Sequence, residues 1–302
     1  MLGRRIFGFG VASALLGQRA VAAQTRVKPA SGRGLFWGVQ AAAPAVIYGY
    51  GRTSTVVAPD ILDDGQRFVE QTQRVIGTMP NVSLAATSLA PPSMAPGGAP
   101  ALAERLSAPV ATRLRDVLAA DEHMARQTEK ISGLEAVAWL LTEGRSPIGV
   151  SVHSALLDHA RVAGRPIFYL LSEQDLAGLR RTPDLAADDR AIDEKAINYL
   201  LTLRNTIGPI GKHAETLYAQ RRSAALDRLE DEIATRGIPG LVRLGGLDEG
   251  AMHALLALRV EAVLKAPADG RALLLLPVAM LTDSDGLLER LRRQGMEVAA
   301  LA

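Results

Sequence analysis

The stretch that decides the fold is Gly34-Leu-Phe-Trp-Gly-Val-Gln-Ala-Ala-Ala-Pro-Ala-Val-Ile-Tyr-Gly-Tyr-Gly-Arg-Thr53. Leu35, Trp37 and Val39 alternate with smaller or polar neighbours, the period of a strand. Ala41 to Pro44 interrupts the pattern. Val46, Ile47 and Tyr48 then form a second β-prone run. Together these predict a β-hairpin. Its second strand runs into Gly49-Tyr50-Gly51-Arg52, where two glycines permit a tight backbone and one arginine is left at the tip. A strand that delivers a polar residue to its carboxyl end is a common way to build a site in an α/β protein. It is also a common way to make an ordinary turn, and the stretch taken alone favours the turn.

Working outward, 302 residues are enough for one large domain or two small ones with a sizeable core. With 48% hydrophobic and 22% charged residues the chain belongs with folded globular proteins. The net charge is only +2, the bases form no block and aromatics are 4%, so nothing points to a nucleic-acid partner. Cysteine is absent, which excludes disulfides, thiolate metal sites and cysteine nucleophiles.

The amino terminus reads as an export signal over residues 1–23. Arg4-Arg5 precedes a short apolar run, and Ala20-Val-Ala-Ala23 supplies small residues for cleavage. The paired arginines resemble a twin-arginine signal. A periplasmic or secreted protein follows. Residues 24–33 are expected to form a disordered leader. No segment of the mature chain is long and apolar enough to be expected to span a membrane.

Toward the centre, Pro59-Asp60-Ile61 opens a predicted helix. Val75-Ile76 and Val82-Ser-Leu84 flank a turn. Ser88 to Pro100 is a proline- and glycine-rich loop. From about 101 to 164 the pattern is helical. Leu102, Leu106, Val110, Leu114 and Leu118 recur every four residues, the stripe of a single helix. Leu134–Thr142 and Ser154–Ala163 follow as further helices, the latter stopping at Gly164. Arg165–Leu171 reads as a buried strand, and Ser172 caps the next helix. Residues 188–204, 212–235 and 251–265 are predicted as long helices. Arg271–Ala279 is a last buried strand, Asp283–Gln294 a helix, and Met296–Leu301 an edge strand. The plan is an α/β fold: a mixed sheet built from amino- and carboxyl-terminal strands, flanking helices and a central helical insertion over about 101–164.

Several of these pieces, in this order, resemble the TraB/GumN family, which is related to Tiki-type metalloprotease-like proteins. The pieces are Gly34-Leu-Phe-Trp-Gly-Val39 with Tyr48-Gly-Tyr-Gly-Arg52; Leu273-Leu-Leu-Leu-Pro-Val-Ala-Met-Leu281; and Gly286-Leu-Leu-Glu-Arg-Leu291 with Gly295-Met-Glu-Val298. Gly164-Arg-Pro166 and Glu173-Gln-Asp-Leu176 are similar to further family segments. The resemblance implies one domain over 34–302. It also implies two Gly-x-x-His motifs whose histidines would hold a divalent metal from neighbouring strand ends. Here those positions are Arg52 and Met280, and Pro277 replaces the second glycine. The family's acidic position after the first helix falls at Gly77 or Thr78. Glu173 is the nearest carboxylate to the end of the Arg165–Leu171 strand, and Arg259 alone answers to an Arg-Asn pair.

Arginine has no lone pair to donate and methionine is a poor ligand for hard divalent ions. The expectation is therefore no catalytic residue, no metal and no cofactor. What remains is a binding cleft contributed by Arg52, Tyr50 and Arg259, with a protein or a small anionic molecule as partner. A hydrolase with a rearranged site, drawing on Glu173, Asp283 or Asp285, is the alternative; a structural envelope protein is a third reading. His123, His153, His159, His213 and His253 show no metal-site spacing and read as surface or helix-packing residues.

Overall fold

The computed structural model describes residues 34–51, 58–79, 101–145, 151–180, 189–237, 247–282 and 285–301. The signal, the leader, Arg52, Asp283, Val82–Leu84 and the whole of the Ser88–Pro100 loop lie outside them.

The expected α/β plan is present. Strands β1 (Phe36–Gln40) and β2 (Ala45–Tyr50) form the hairpin, with Phe36 opposite Tyr48 and Trp37 opposite Ile47. Strands β3 (Arg74–Gly77), β4 (Ile167–Tyr169), β5 (Ala272–Pro277) and β6 (Glu297–Leu301) complete a six-stranded sheet of order β4-β3-β5-β2-β1-β6. Strands β4, β3, β5 and β2 are mutually parallel, while β1 runs antiparallel to both β2 and β6. Every residue of β2 and β5 is buried, as expected of parallel strands covered on both faces. This is why β5 reads Ala-Leu-Leu-Leu-Leu-Pro rather than alternating.

Gly49 lets the hairpin close. A Cβ there would lie 2.9 Å from the Trp37 ring and 3.0 Å from Leu281, too near for any side chain. Helix α1 (Pro59–Gln71) starts with proline in its first turn. It packs on helix α6 (Val152–Val162), where Gly65 admits Leu156. Both helices share the core of the sheet.

The insertion folds around a second core. Helices α2 (Leu102–Arg105), α3 (Ala108–Leu118), α4 (Glu122–Gln127) and α5 (Gly133–Thr142) bury Leu114, Leu118, Ile131 and Leu140 together. The chain then visits the sheet through α6, β4 and α7 (Glu173–Leu179). It returns with α8 (Glu194–Ile207) and the first residue of α9 (Ile210–Ala219) to complete the helical core. Helix α10 (Ser223–Glu232), a π turn at Ile233–Gly237, α11 (Glu249–Lys265), β5, a 3-10 turn at Val278–Met280, α12 (Leu287–Arg293) and β6 finish the described chain.

Three local expectations are corrected. The Leu102–Leu118 stripe is two helices, because Pro109 has no N–H for the Arg105 carbonyl. The intervening Ser107 gives both its N–H and its hydroxyl to Glu194, at 2.6 and 2.8 Å. The helix expected over 212–235 breaks at Arg221, which takes φ 55°. Its N–H reaches the Tyr218 carbonyl at 2.9 Å and the Arg222 N–H reaches Leu217 at 2.9 Å, closing a left-handed helix terminus. Finally, β4 is an edge strand with Phe168 exposed, not a buried one.

Candidate functional site

Because β2, β5, β3 and β4 are parallel, their carboxyl ends share one edge of the sheet, the place where open α/β sheets take ligands. Tyr50 is the last residue of β2 and lies in register with Pro277, the last of β5. Beyond β3, the Thr78 carbonyl accepts the Leu171 N–H at 2.9 Å, extending the β3–β4 ladder and locking the Thr78 backbone. The Tyr50 hydroxyl and Thr78 Oγ1 are 2.9 Å apart and hydrogen-bonded.

The third member comes from α6. Ser151 caps that helix through the Ser154 N–H, placing His153 in its first turn. The imidazole meets the Tyr50 ring edge-on, with centroids 4.6 Å apart. His153 is 6% exposed, and its Nε2 has no hydrogen-bond partner. Burial pushes its pKa down to about 4, so the ring is neutral at pH 7. Burial also raises the Tyr50 pKa, with the Thr78 hydrogen bond acting in the opposite sense. The corner thus presents three uncharged groups, each able to donate or accept a hydrogen bond.

A buried network braces the hairpin nearby. The Tyr48 and Tyr218 hydroxyls bond to each other, and burial raises both pKa values. Asp64 on α1 accepts from Arg67 and Arg221. The Arg221 carbonyl accepts the Gly34 N–H at 2.8 Å. A left-handed arginine costs about 1–2 kcal/mol, and these contacts hold it there. The start of β1, helix α1 and the α9–α10 corner are thereby tied together.

Of the expected cleft, Tyr50 lies in this corner. Arg52 is outside the described residues. Arg259 is half-exposed on α11 and reaches Asp175 at 3.4 Å. Asp175 is the capping-box residue of α7, and the Ser172 N–H and hydroxyl, with Arg259 adding to them, hold its pKa low. Arg259 is therefore tied to the start of α7, just beyond β4, and Tyr50 to Thr78 and His153. Met280 is buried in the turn after β5. Glu173 is exposed at the start of α7, and Asp285 pairs with Arg293 at 3.0 Å. Among the described residues, no three His, Cys, Asp or Glu side chains come together as a metal site requires. A depression of about 490 Å³ between Asp285, Arg290, Arg293 and Gln294 has its cations already engaged: Arg290 by Glu261 at 2.6 Å and Arg293 by Asp285.

His153 and Thr78 are the members that residue patterns missed. His153 carries no motif, and only the packing of α6 brings it beside the end of β2. Thr78 occupies a position where the family resemblance implies an acid.

Comparison with known proteins finds no matching family model, no matching curated protein and no matching solved structure. The described chain is a mixed α/β protein with a neutral polar corner at the carboxyl edge of its parallel strands. No described helix is long and apolar enough to cross a membrane.

Proposed function

We propose that this chain is an exported protein of the TraB/GumN type that acts by binding at the carboxyl edge of its sheet rather than by metal-assisted hydrolysis. The supporting observation is the pairing of β2 with β5. The two strands that carry the motif remnants are parallel neighbours with Tyr50 beside Pro277, so the positions answering to the family's histidines follow adjacent strand ends. One of them, Met280, is a buried thioether, a poor partner for a hard divalent ion. The alternative hydrolase would need its carboxylates to converge on substrate. Glu173 is exposed at the start of α7, and Asp285 is engaged by Arg293.

The test is metal analysis of the purified protein, together with peptidase assays run with and without a chelator. The expected result is no stoichiometric divalent metal and no chelator-sensitive turnover; either one present overturns the proposal. Export is checked separately. Expressed from its full sequence in a bacterial host, the mature protein should be recovered outside the cytoplasm, lacking residues 1–23 by intact mass. Retention of the segment in the cytoplasmic fraction contradicts it.

A further inference from the structure

We infer that the Tyr50–Thr78–His153 corner is a subsite for an uncharged, hydroxyl-bearing group, as carried by a sugar or polyol. The inference rests on reading this edge of the sheet as a binding site. It adds the chemical class of what is bound.

The corner is assembled from three separate elements: the end of β2, the residue after β3 and the first turn of α6. Thr78 Oγ1 and the Tyr50 hydroxyl are paired at 2.9 Å, and the Tyr50 ring fixes the imidazole through its edge contact. In that pair one hydroxyl donates, so the other still has a proton to give, and both oxygens keep a lone pair. His153 Nε2 is buried with nothing to bond to. A buried polar atom left in that state is unfavourable, and among several such atoms in the described residues this one is set apart by its place against Tyr50 at the carboxyl edge of the parallel strands. A bound polar group would remove that cost.

The chemistry of the three groups selects what the group can be. An anion would call for fixed cations or a row of N–H donors, and an ammonium for carboxylates. Among the described residues, the partners here are a neutral imidazole, a phenol and an aliphatic hydroxyl. Each can reverse its donor and acceptor roles. The group that complements such a set whatever the tautomer of His153 is another hydroxyl.

Two signatures separate a binding role from simple packing. His153→Phe keeps the ring against Tyr50 and removes the unpartnered nitrogen, so it should leave the thermal midpoint unchanged or raise it. Binding should weaken by tenfold or more. Thr78→Val keeps the shape of the side chain and removes one hydroxyl, and should weaken binding several-fold.

The full-length mature protein, with the imidazole nitrogens observed by 15N NMR, is titrated with glucose, N-acetylglucosamine and sorbitol. Glucuronate and inorganic phosphate serve as anionic probes. The expected result is saturable binding of at least one neutral probe, a shift of the His153 nitrogens, and loss of both in the variants. The inference is overturned if no neutral probe moves those nitrogens, if only the anions do, or if both variants bind like the parent. A neutral probe that binds without touching His153 leaves the binding role standing and overturns this placement. Chelator-sensitive hydrolysis with the His153 response intact overturns the proposed function and leaves this subsite in place.

Discussion

The protein has two cores, and they treat buried polar groups differently. The helical core concentrates its polarity in Asp189, whose side chain is completely buried. One oxygen takes the Arg105 guanidinium at 2.8 Å, the other takes the Leu134 N–H at 3.0 Å, and its carbonyl takes a second Arg105 donor at 2.9 Å. Every contact of this carboxylate serves packing: it anchors α2, accepts a free N–H in the first turn of α5 and fixes the chain entering α8. The sheet core instead gathers neutral polar groups along one edge, where the Tyr50–Thr78 pair meets the ring of His153. The difference teaches where to look for function. A buried charge whose hydrogen bonds all serve helix ends explains itself structurally, whereas a neutral polar cluster at the carboxyl ends of parallel strands lies where such sheets take ligands.

The chain's two tryptophans allow the comparison to be broken experimentally, since Trp37 sits in the sheet core and Trp139 packs against the helical one. Trp37→Phe and Trp139→Phe backgrounds let fluorescence report each core by itself. The largest effect expected is from Asp189→Ala, which strands the Arg105 guanidinium and leaves the Leu134 N–H in the first turn of α5 without its acceptor. It should cost about 3–5 kcal/mol. The Trp139 transition should move to lower denaturant ahead of the Trp37 transition. Equal movement of both would mean that the two cores unfold as one unit.

Acid is the next largest, and it should act on the other core. His153 has a folded pKa of about 4, below the ordinary value of 6.5. The unfolded chain therefore binds the proton first. Stability contributed by the neutral, buried ring is complete above pH 6.5 and is lost as pH falls toward 4, by about 3 kcal/mol in all. Denaturant titrations read through Trp37 at pH 7.5, 5.5 and 4.5 should show the decline, and His153→Phe should flatten it. A slope that survives in the variant would assign the acid sensitivity to other groups.

Gly65→Ala probes packing on the sheet side. The new Cβ would lie 2.6 Å from a methyl of Leu156, which is itself fully buried, so the leucine must shift within the core. About 1–3 kcal/mol should be lost, seen by Trp37. The smallest effect belongs to Ser132→Ala. This removes the capping box that Ser132 forms with Glu135 at the start of α5. About 1 kcal/mol should be lost through Trp139 alone. A comparable loss seen by Trp37 would again argue against independent cores.

Much of the fold is legible in the residues. The β-prone run Leu35–Val39, the leucine run of β5, and the Ser172-x-x-Asp175 and Pro59 helix starts each have local causes that act where they stand, although Leu35 to Val39 are all buried and do not alternate as expected. Pro109 announces the α2–α3 break just as locally, although the leucine stripe across it conceals the break. The break at Arg221 is of another kind. Arginine has no intrinsic preference for the left-handed region. It is held there by Asp64, 157 positions away in sequence, and by the N–H of Gly34. Nothing near residue 221 in the chain reports those partners. The candidate site divides in the same way. Tyr50 is legible because it ends a recognisable strand; His153 is not, because its importance depends on where α6 lands.

By itself, the sequence determined the α/β plan, the hairpin with its glycines, the doubly buried β5 and the caps that start α5 and α7. These depend on side-chain period, backbone freedom and hydrogen bonds spanning a few residues. Tertiary structure alone decided that β2 lies beside β5, that the insertion closes its core with α8, and that Tyr50, Thr78 and His153 meet. Those outcomes depend on which apolar faces cover one another, a condition that no short stretch of chain contains.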